Sequence, residues 1–473
     1  MAELGQASQR AWMCRVCSRP NVEDKSRCTN CWANRPEEAE LLDMPDADAL
    51  AIRIRRSRFS RRVLRWVAGV AVAALVAAWF ILPHFGVALF QSEPSMDISS
   101  SPSGSDWPMY QRDPTHSGAA FDSGKTPAGV LKWRYESDGP LYSSPAVVDG
   151  TVYLATGGGS VAALDAETGE EIWKHSTGGT LNSSPAVAGE MLFIGRFDGG
   201  VEARDLGSGD VLWEFKTGAR VISSPVVERG VVYIGSGDGN LYALDAGTGR
   251  ERWTYSTRGW ISSSPTLFDD YVGIASFDGL LHVVHRDTGK KRLDFHLSET
   301  PRGSATFGKQ HVIVADGRGR LKAVDWRERT WPLEWLWLKV RLQLLYWGMI
   351  DTLANQKGFI WGTATGHAFM GTPVLSGGLV YAANFGGEVV AADESTGEVV
   401  WQTAVGAPVS GSMSAVADVV LVGDTDGILH SLDAGTGARR WQFETSGRIS
   451  ATPIVADGVV YVGSWDGTLY AIE

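Results

Sequence analysis

A forty-residue period governs most of this chain. Pro145, Pro185, Pro225 and Pro265 lie 40 apart, and so do Trp133, Trp173, Trp213 and Trp253, each Trp 12 residues ahead of a Pro. The phase returns after a break with Pro373, Pro453, Trp361, Trp401 and Trp441. Ala305 and Met413 hold two of the Pro slots, and Leu293 holds one Trp slot. Counted by the Pro slots from 145 to 453, there are eight repeats. A sequence with such a period must stack its units, because one unit cannot bury its own apolar face.

The unit Ser223–Trp253 shows what is stacked. Short Val/Tyr/Ile runs alternate with Gly turns; Asp238-Gly239 is a hairpin signal, and Thr248-Gly249 marks the next turn. The result is four strands per unit, which is a propeller blade. The expected fold class is therefore all-β, an eight-bladed β-propeller over residues 107–473. The last repeat stops after its third strand. The strand around Trp133, which precedes the first full repeat, is expected to complete that sheet and remove an exposed edge.

The Leu-Asp-Ala-x-Thr-Gly-x-x-x-Trp runs (Leu164–Trp173, Leu244–Trp253, Leu432–Trp441) resemble the pyrroloquinoline-quinone-type β-propellers. So does Asp106-Trp-Pro-Met-Tyr-Gln-Arg-Asp113 with Gly118. The resemblance implies that the repeated Trp (Trp133, Trp173, Trp213, Trp253, Trp361, Trp401, Trp441) docks between blades and that the repeat Asp orders its own turn. One branch of that family holds quinone-dependent dehydrogenases, with a Cys–Cys pair, calcium ligands and a catalytic Asp. The other, nearer branch holds non-catalytic propellers such as the lipoprotein of outer-membrane assembly. All four Cys of this chain precede residue 32. The propeller thus lacks the Cys pair, and no catalytic residues are assigned. His285 stands in the repeat's Asp slot and reads as a local substitute. His282 points to the opposite strand face, so the two share no metal.

Ahead of the repeats the composition changes sharply. Cys14-Arg-Val-Cys17 and Cys28-Thr-Asn-Cys31 make two CxxC pairs suited to one structural zinc. Trp12, Cys14, Cys17, Asn21, Cys28 and Cys31 resemble the Ran-binding-protein type of zinc finger. Val22, Glu23, Asp24, Ser18 and Arg19 depart from the positions its RNA and ubiquitin binders use, which leaves a protein-docking module over 1–40. A basic juxtamembrane linker, 41–62, follows. Seven Arg fall between 53 and 65, and Trp66–Phe90 has no charged residue. The stretch 63–90 is expected to cross a membrane once, with its basic N-terminal side in the cytoplasm and the propeller periplasmic or extracellular. A Ser/Pro linker, 91–106, completes the organisation. The net charge of -11 argues against nucleic acid as a partner.

One insertion breaks the period. Trp361 follows Asp325 by 36 residues where the repeat allows eight, so 28 residues are lodged within 327–354. Leu336, Leu338, Val340, Leu342 and Leu344 alternate with polar or aromatic residues, a period of two that predicts a strand; a helix over Leu342–Leu353 is the competing reading. Trp331, Trp335, Trp337, Leu338, Tyr346 and Trp347 are the candidate partner-binding residues. A flap on the propeller flank and a shallow bilayer contact are the alternatives. The expected function is a membrane-anchored, non-enzymatic scaffold that holds protein partners in a membrane or envelope complex. A trans-membrane ligand sensor and a quinone-dependent dehydrogenase are its alternatives.

Overall fold

The computed structural model describes residues 10–81, 92–120, 126–297, 299–308, 310–330, 334–350 and 355–473. It divides into two compact units, Met1–Leu82 and Pro83–Glu473.

In the first unit, strands Pro20–Val22, Arg10–Met13 and Leu41–Asp43 pair in that order and lead into helix α1 (Met44–Ile81). The residues expected as a linker over 41–62 are therefore strand and helix. Pro45 suits a helix's first turn, where its missing N–H is no loss, and Asp46 complements the helix dipole. Ala47 and Ala51 are buried, whereas the apolar side chains farther along are open: Leu64 is 70% and Leu75 71% exposed. α1 is long and apolar enough to cross a membrane, alone in this among the described residues. Residues 82–90 of the expected span lie outside the described residues.

The second unit is all-β and propeller-like, with eight four-stranded antiparallel sheets among the described residues. The strand Leu131–Glu136 pairs with Thr468–Ile472 and completes the last sheet, as expected. Each repeat Trp reaches into the next sheet. Trp173 donates its indole N–H to the Leu206 carbonyl at 3.2 Å, Trp213 to Ala246 at 2.8 Å and Trp401 to Ala434 at 2.9 Å. Trp441 donates to Pro127 at 2.7 Å, which binds the last full repeat to the segment preceding the first. The Gly of each Thr-Gly turn explains itself here: Gly249 has φ +69°, and a Cβ on it would meet the Trp213 ring. The repeat Asp does order its turn; Asp165 accepts from the Glu167 and Thr168 N–H groups at 3.0 and 2.8 Å. His285 does the same with a ring nitrogen, accepting from Asp287 N–H at 3.3 Å.

One junction is built backwards. Leu293 holds a Trp slot, and Trp326 stands 33 residues on, where the other sheets supply the accepting carbonyl and a smaller side chain. Trp326 is 6% exposed and packs in one cluster with Leu293 and Phe307, its ring edge-on to Phe268 and tilted on Tyr271. The aromatic bulk comes from the acceptor side, so the cavity that Leu alone would leave is filled.

The unit has two faces. One carries the turns joining first to second and third to fourth strands; the other carries the remaining turns and the connections between sheets. Residues 92–106 lie along the first, which we call the linker face. Ser95 donates through N–H and Oγ to Asp245 at 2.7 and 2.5 Å, Gly230 N–H donates to Ile98 at 2.8 Å, and Ser105 Oγ to Asp457 at 2.5 Å. The Ser/Pro linker, 91–106, is thus bonded to the body over its described length.

Candidate functional sites

The four Cys come together as expected. Cys14 and Cys31 sulfurs lie 3.5 Å apart, Cys17 and Cys28 3.4 Å, and all four within 4.8 Å of one another. A tetrahedron with metal–sulfur arms of 2.3 Å has edges of about 3.8 Å, so the set fits a metal ion without a disulfide. Two matching knuckles present it: Ser18 N–H donates to Cys14 O and Trp32 N–H to Cys28 O, with Ser18 and Trp32 at φ 55° and 62°. Asn21 joins the knuckles, its Oδ1 accepting from Thr29 N–H at 2.9 Å and its Nδ2 donating to Arg19 O at 3.0 Å. Burial raises the Cys28 thiol, but the Cys31 and Asn30 N–H groups outweigh it and bring it down to about 6. Cys31 moves to about 12: the Ala33 N–H lowers it, while burial and the three neighbouring thiols raise it further. A second thiolate beside the first is costly until a cation offsets the charge.

The hub is the second site, and sequence reasoning underread it. Residues 107–120 wind around its floor. Trp107 exchanges backbone hydrogen bonds with Val147; Pro108, Pro114, Thr115, Ser117 and Gly118 carbonyls then accept from Val187, Leu267, Phe307, Leu375 and Ala415. This girdle serves six sheets. Met109, Gln111 and His116 are fully buried in it, and Gly118 (φ +64°) must lack a Cβ because Gln111 and Val374 fill that space. Neither His116 nitrogen has a hydrogen-bond partner among the described residues. Burial holds its pKa down to about 4, with the Asp113 charge pulling the other way.

Above the girdle runs a belt of hydroxyls that the repeat places beside each Pro slot. Ser144 N–H donates to Ser184 Oγ at 3.1 Å, Ser184 to Ser224 at 2.9 Å, Ser224 to Ser264 at 2.9 Å, and Ser264 to Ser304 at 2.7 Å. Ser304 N–H then reaches Thr372 at 2.9 Å, Thr372 reaches Ser412 at 2.8 Å, and Thr452 returns to Ser144 at 2.8 Å. Tyr110 OH meets Thr372 and Ser412 hydroxyls at 2.9 and 2.8 Å and floors a cavity of about 150 Å³. Its lining includes one cation, Arg302, and no Asp, Glu or Cys. Small-molecule sites usually measure about 300–1,000 Å³. The lining offers oxygen only from hydroxyls, Asn182 and the backbone, with no carboxylate to balance a calcium charge or to act as the acid of a quinone dehydrogenase, so these residues do not fit the calcium–quinone site that the resemblance implies.

On the face where this cavity opens stand aromatics and Arg outside the repeat's fixed positions; Trp465 touches the lining residues Tyr142 and Ser450. Arg220 lies 4.4 Å from the Trp260 ring centroid and 5.5 Å from that of Phe197, and Arg448 4.7 Å from that of Trp465. Trp260 is 54% exposed, and Phe197, Phe385 and Trp465 are also open.

The insertion is a helix, α2 (Glu334–Tyr346), where period two predicted a strand. Among Glu334–Tyr346 only Val340 is β-branched, and Leu, Glu, Lys, Arg and Gln dominate, all good helix formers. Gly348 (φ +69°) ends it: Gly348 N–H donates to Leu345 O and Met349 N–H to Leu344 O, a Schellman cap. Trp337, Tyr346 and Trp347 are exposed. Trp331 and the side chains of Trp335 and Leu338 lie outside the described residues, as does 351–354.

These features define a propeller-like repeat protein of the quinoprotein type. A sequence profile described as outer membrane protein assembly factor BamB matches residues 120–259, 197–334 and 350–473, and the chain belongs to that family. No curated protein matches it by sequence. Among solved structures it is similar to BamB from Moraxella catarrhalis, at 19% identity and TM-score 0.59 over 72% of this chain and 96% of that one. It is similar also to the computationally designed Ika8 protein (16%, TM-score 0.62, 73% and 99%). The quinohemoprotein alcohol dehydrogenase of Comamonas testosteroni gives 17% identity and TM-score 0.60 over 78% of this chain and 80% of that one.

Proposed function

We propose that this chain is a single-pass membrane scaffold whose eight sheets are the eight blades of one closed ring, a non-enzymatic platform that holds protein partners in an envelope complex. The mouth-face rim carries this reading. Trp260 and Trp465, each backed by an Arg and left open, are the residue types that dominate protein interfaces. The small hub lining, poor in charge, supports binding over redox chemistry. The Arg-rich turn of α1 supports a cytoplasmic N-terminus and a propeller outside the cytoplasm. The four Cys hold zinc and form a cytoplasmic docking module; the excursion 327–354, with Trp331, Trp335, Trp337, Leu338, Tyr346 and Trp347, is a further contact.

The test is mild-detergent purification of the full chain beside a Trp260→Ala/Trp465→Ala variant, with propeller folding checked by circular dichroism. Partners recovered with the parent should fall at least tenfold with the variant. An unchanged partner set from a folded variant removes the rim from the mechanism.

A further inference from the structure

The described chain resumes after α1 at Ser92, and Arg252 donates to Ser92 O at 2.7 Å while Ser95 sits on Asp245. Asp245 and Arg252 flank the turn between the third and fourth strands of the third sheet, on the linker face. α2 occupies the corresponding turn of the fifth sheet, between Arg320–Val324 and Phe359–Ala364. Ser92 and the α2 turn therefore share one face, two sheets apart around the ring. Only residues 82–91 separate Ile81 from Ser92. Eleven steps of chain, however they run, span at most about 40 Å.

The chemistry of α2 suits that surface. Leu336, Trp337, Val340, Leu342, Tyr346, Trp347 and Met349 are all exposed, Tyr346 at 84% and Met349 at 68%. An apolar helix left open on several sides is at home in lipid rather than in water. Trp and Tyr concentrate where hydrocarbon meets headgroups. Between Trp326 and Lys357 stand five cations (Arg327, Arg329, Lys339, Arg341, Lys357) against three acids, in a chain of net charge -11. That local reversal of sign favours anionic headgroups.

We propose that α2 with its Trp347–Met349 turn lies in the headgroup zone of the bilayer that α1 crosses, a second and shallow membrane contact that holds the linker face toward the lipid and the mouth face away from it. This rests on the anchored reading above and names the occupant of the excursion. Two attachments on one face restrict tilting, so the rim is presented in one orientation.

The full chain is reconstituted into vesicles of equal phosphatidylglycerol and phosphatidylcholine, with the photo-crosslinker p-benzoylphenylalanine placed singly at 347, 346, 465 or 70. Lipid adducts at 346 and 347 should exceed those at 465 at least tenfold, and position 70 should label strongly. Adducts at 346 and 347 no higher than at 465, with 70 labelled, overturn the α2 contact and leave the anchor standing. An unlabelled position 70 overturns the anchor and this inference with it. In the parent background, Trp337→Asp/Trp347→Asp with the crosslinker at 346 should lose most of its lipid adducts; undiminished labelling also overturns the contact.

Discussion

The finger and the propeller solve the problem of staying folded in opposite ways. The finger's buried cluster is Trp12 with Cys14 and Cys28, joined at its edge by Cys17, Cys31, Ala33, Ala39 and Leu41. A module that small cannot bury enough apolar surface to offset chain entropy. Its knuckles instead point four sulfurs at one spot, an arrangement in which binding a metal and folding would be one event. The propeller spreads its stability over many like junctions, each an indole N–H on a neighbouring carbonyl and a ring on a Gly. The finger fails all at once, while the propeller should absorb single losses.

Metal removal gives the largest contrast. Chelation, or Cys28→Ser, should abolish dispersed finger signals in an NMR spectrum, because structural zinc contributes about 10–16 kcal/mol in such modules. The propeller's thermal midpoint should stay within a degree or two. A propeller that unfolds together with the finger would join the two into one cooperative unit. Next in size comes the junction. Trp213→Ala should cost about 3–5 kcal/mol in denaturant unfolding, and Trp326→Ala a similar amount although Trp326 stands outside the repeat. Leu293→Trp alone should cost about 1–3 kcal/mol by overpacking. Combined with Trp326→Ala it should recover more than about 1 kcal/mol relative to the sum, since both rings compete for one space. Strict additivity would show that Trp326 does not fill the Leu293 junction.

What was legible in the sequence follows from this contrast. A periodic residue does the same work at every slot, so the Trp junctions, the Asp-ordered turns and the pairing of Leu131–Glu136 with the last sheet could be read from spacing. The convergence of the four Cys was legible because two CxxC pairs at that spacing bring their sulfurs together. The girdle was not, because its residues occur once: Gln111 and His116 work only through the place where six inner strands converge. α2 was misread because alternate Leu residues imitate period two, whereas Leu336, Val340 and Leu344 also stand four apart. Gly348 after the last aromatic pair was the available helix-stop signal. The absence of Trp at 293 together with a Trp at 326 was a second signal, visible only once the 33-residue donor-to-acceptor spacing is known.

The girdle also makes the propeller sensitive to acid in a way the junctions are not. His116 has a folded pKa of about 4 against about 6.5 when unfolded, so the unfolded chain binds the extra proton between those values. Its contribution is fully present above pH 6.5 and is lost as pH falls toward 4, a change of about 3 kcal/mol. His282 has the opposite sign: burial lowers its pKa, but Asp278 and Asp294 outweigh burial and raise it, so its share fades as pH climbs past the ordinary His value. Unfolding titrations from pH 7 to 4 should therefore flatten in His116→Phe and not in His282→Phe. Equal slopes for His116→Phe and the parent would mean that the ring gains a partner or water when protonated.

The smallest effect separates the hydroxyl belt from the junctions. Ser224 Oγ accepts from the buried Ser184 N–H at 2.9 Å, and Ser223 Oγ from Gly235 N–H at 3.1 Å. Ser224→Ala keeps the volume nearly constant and leaves one buried donor unpaired, which should cost about 1–2 kcal/mol. Because the belt runs from sheet to sheet, a second break at Ser264→Ala tests whether the links act together. Two independent bonds would give simple addition. A cooperative belt, in which breaking one N–H to Oγ link loosens its neighbours, would make the second loss smaller than the first, as the remaining bonds are already weakened. Hydrogen exchange at the Ser184 and Ser224 amides reads the difference directly. Protection lost at both amides in the single Ser224→Ala variant would mean that the belt opens as one element, and the hub would then be held by cooperation where the outer ring is held by repetition.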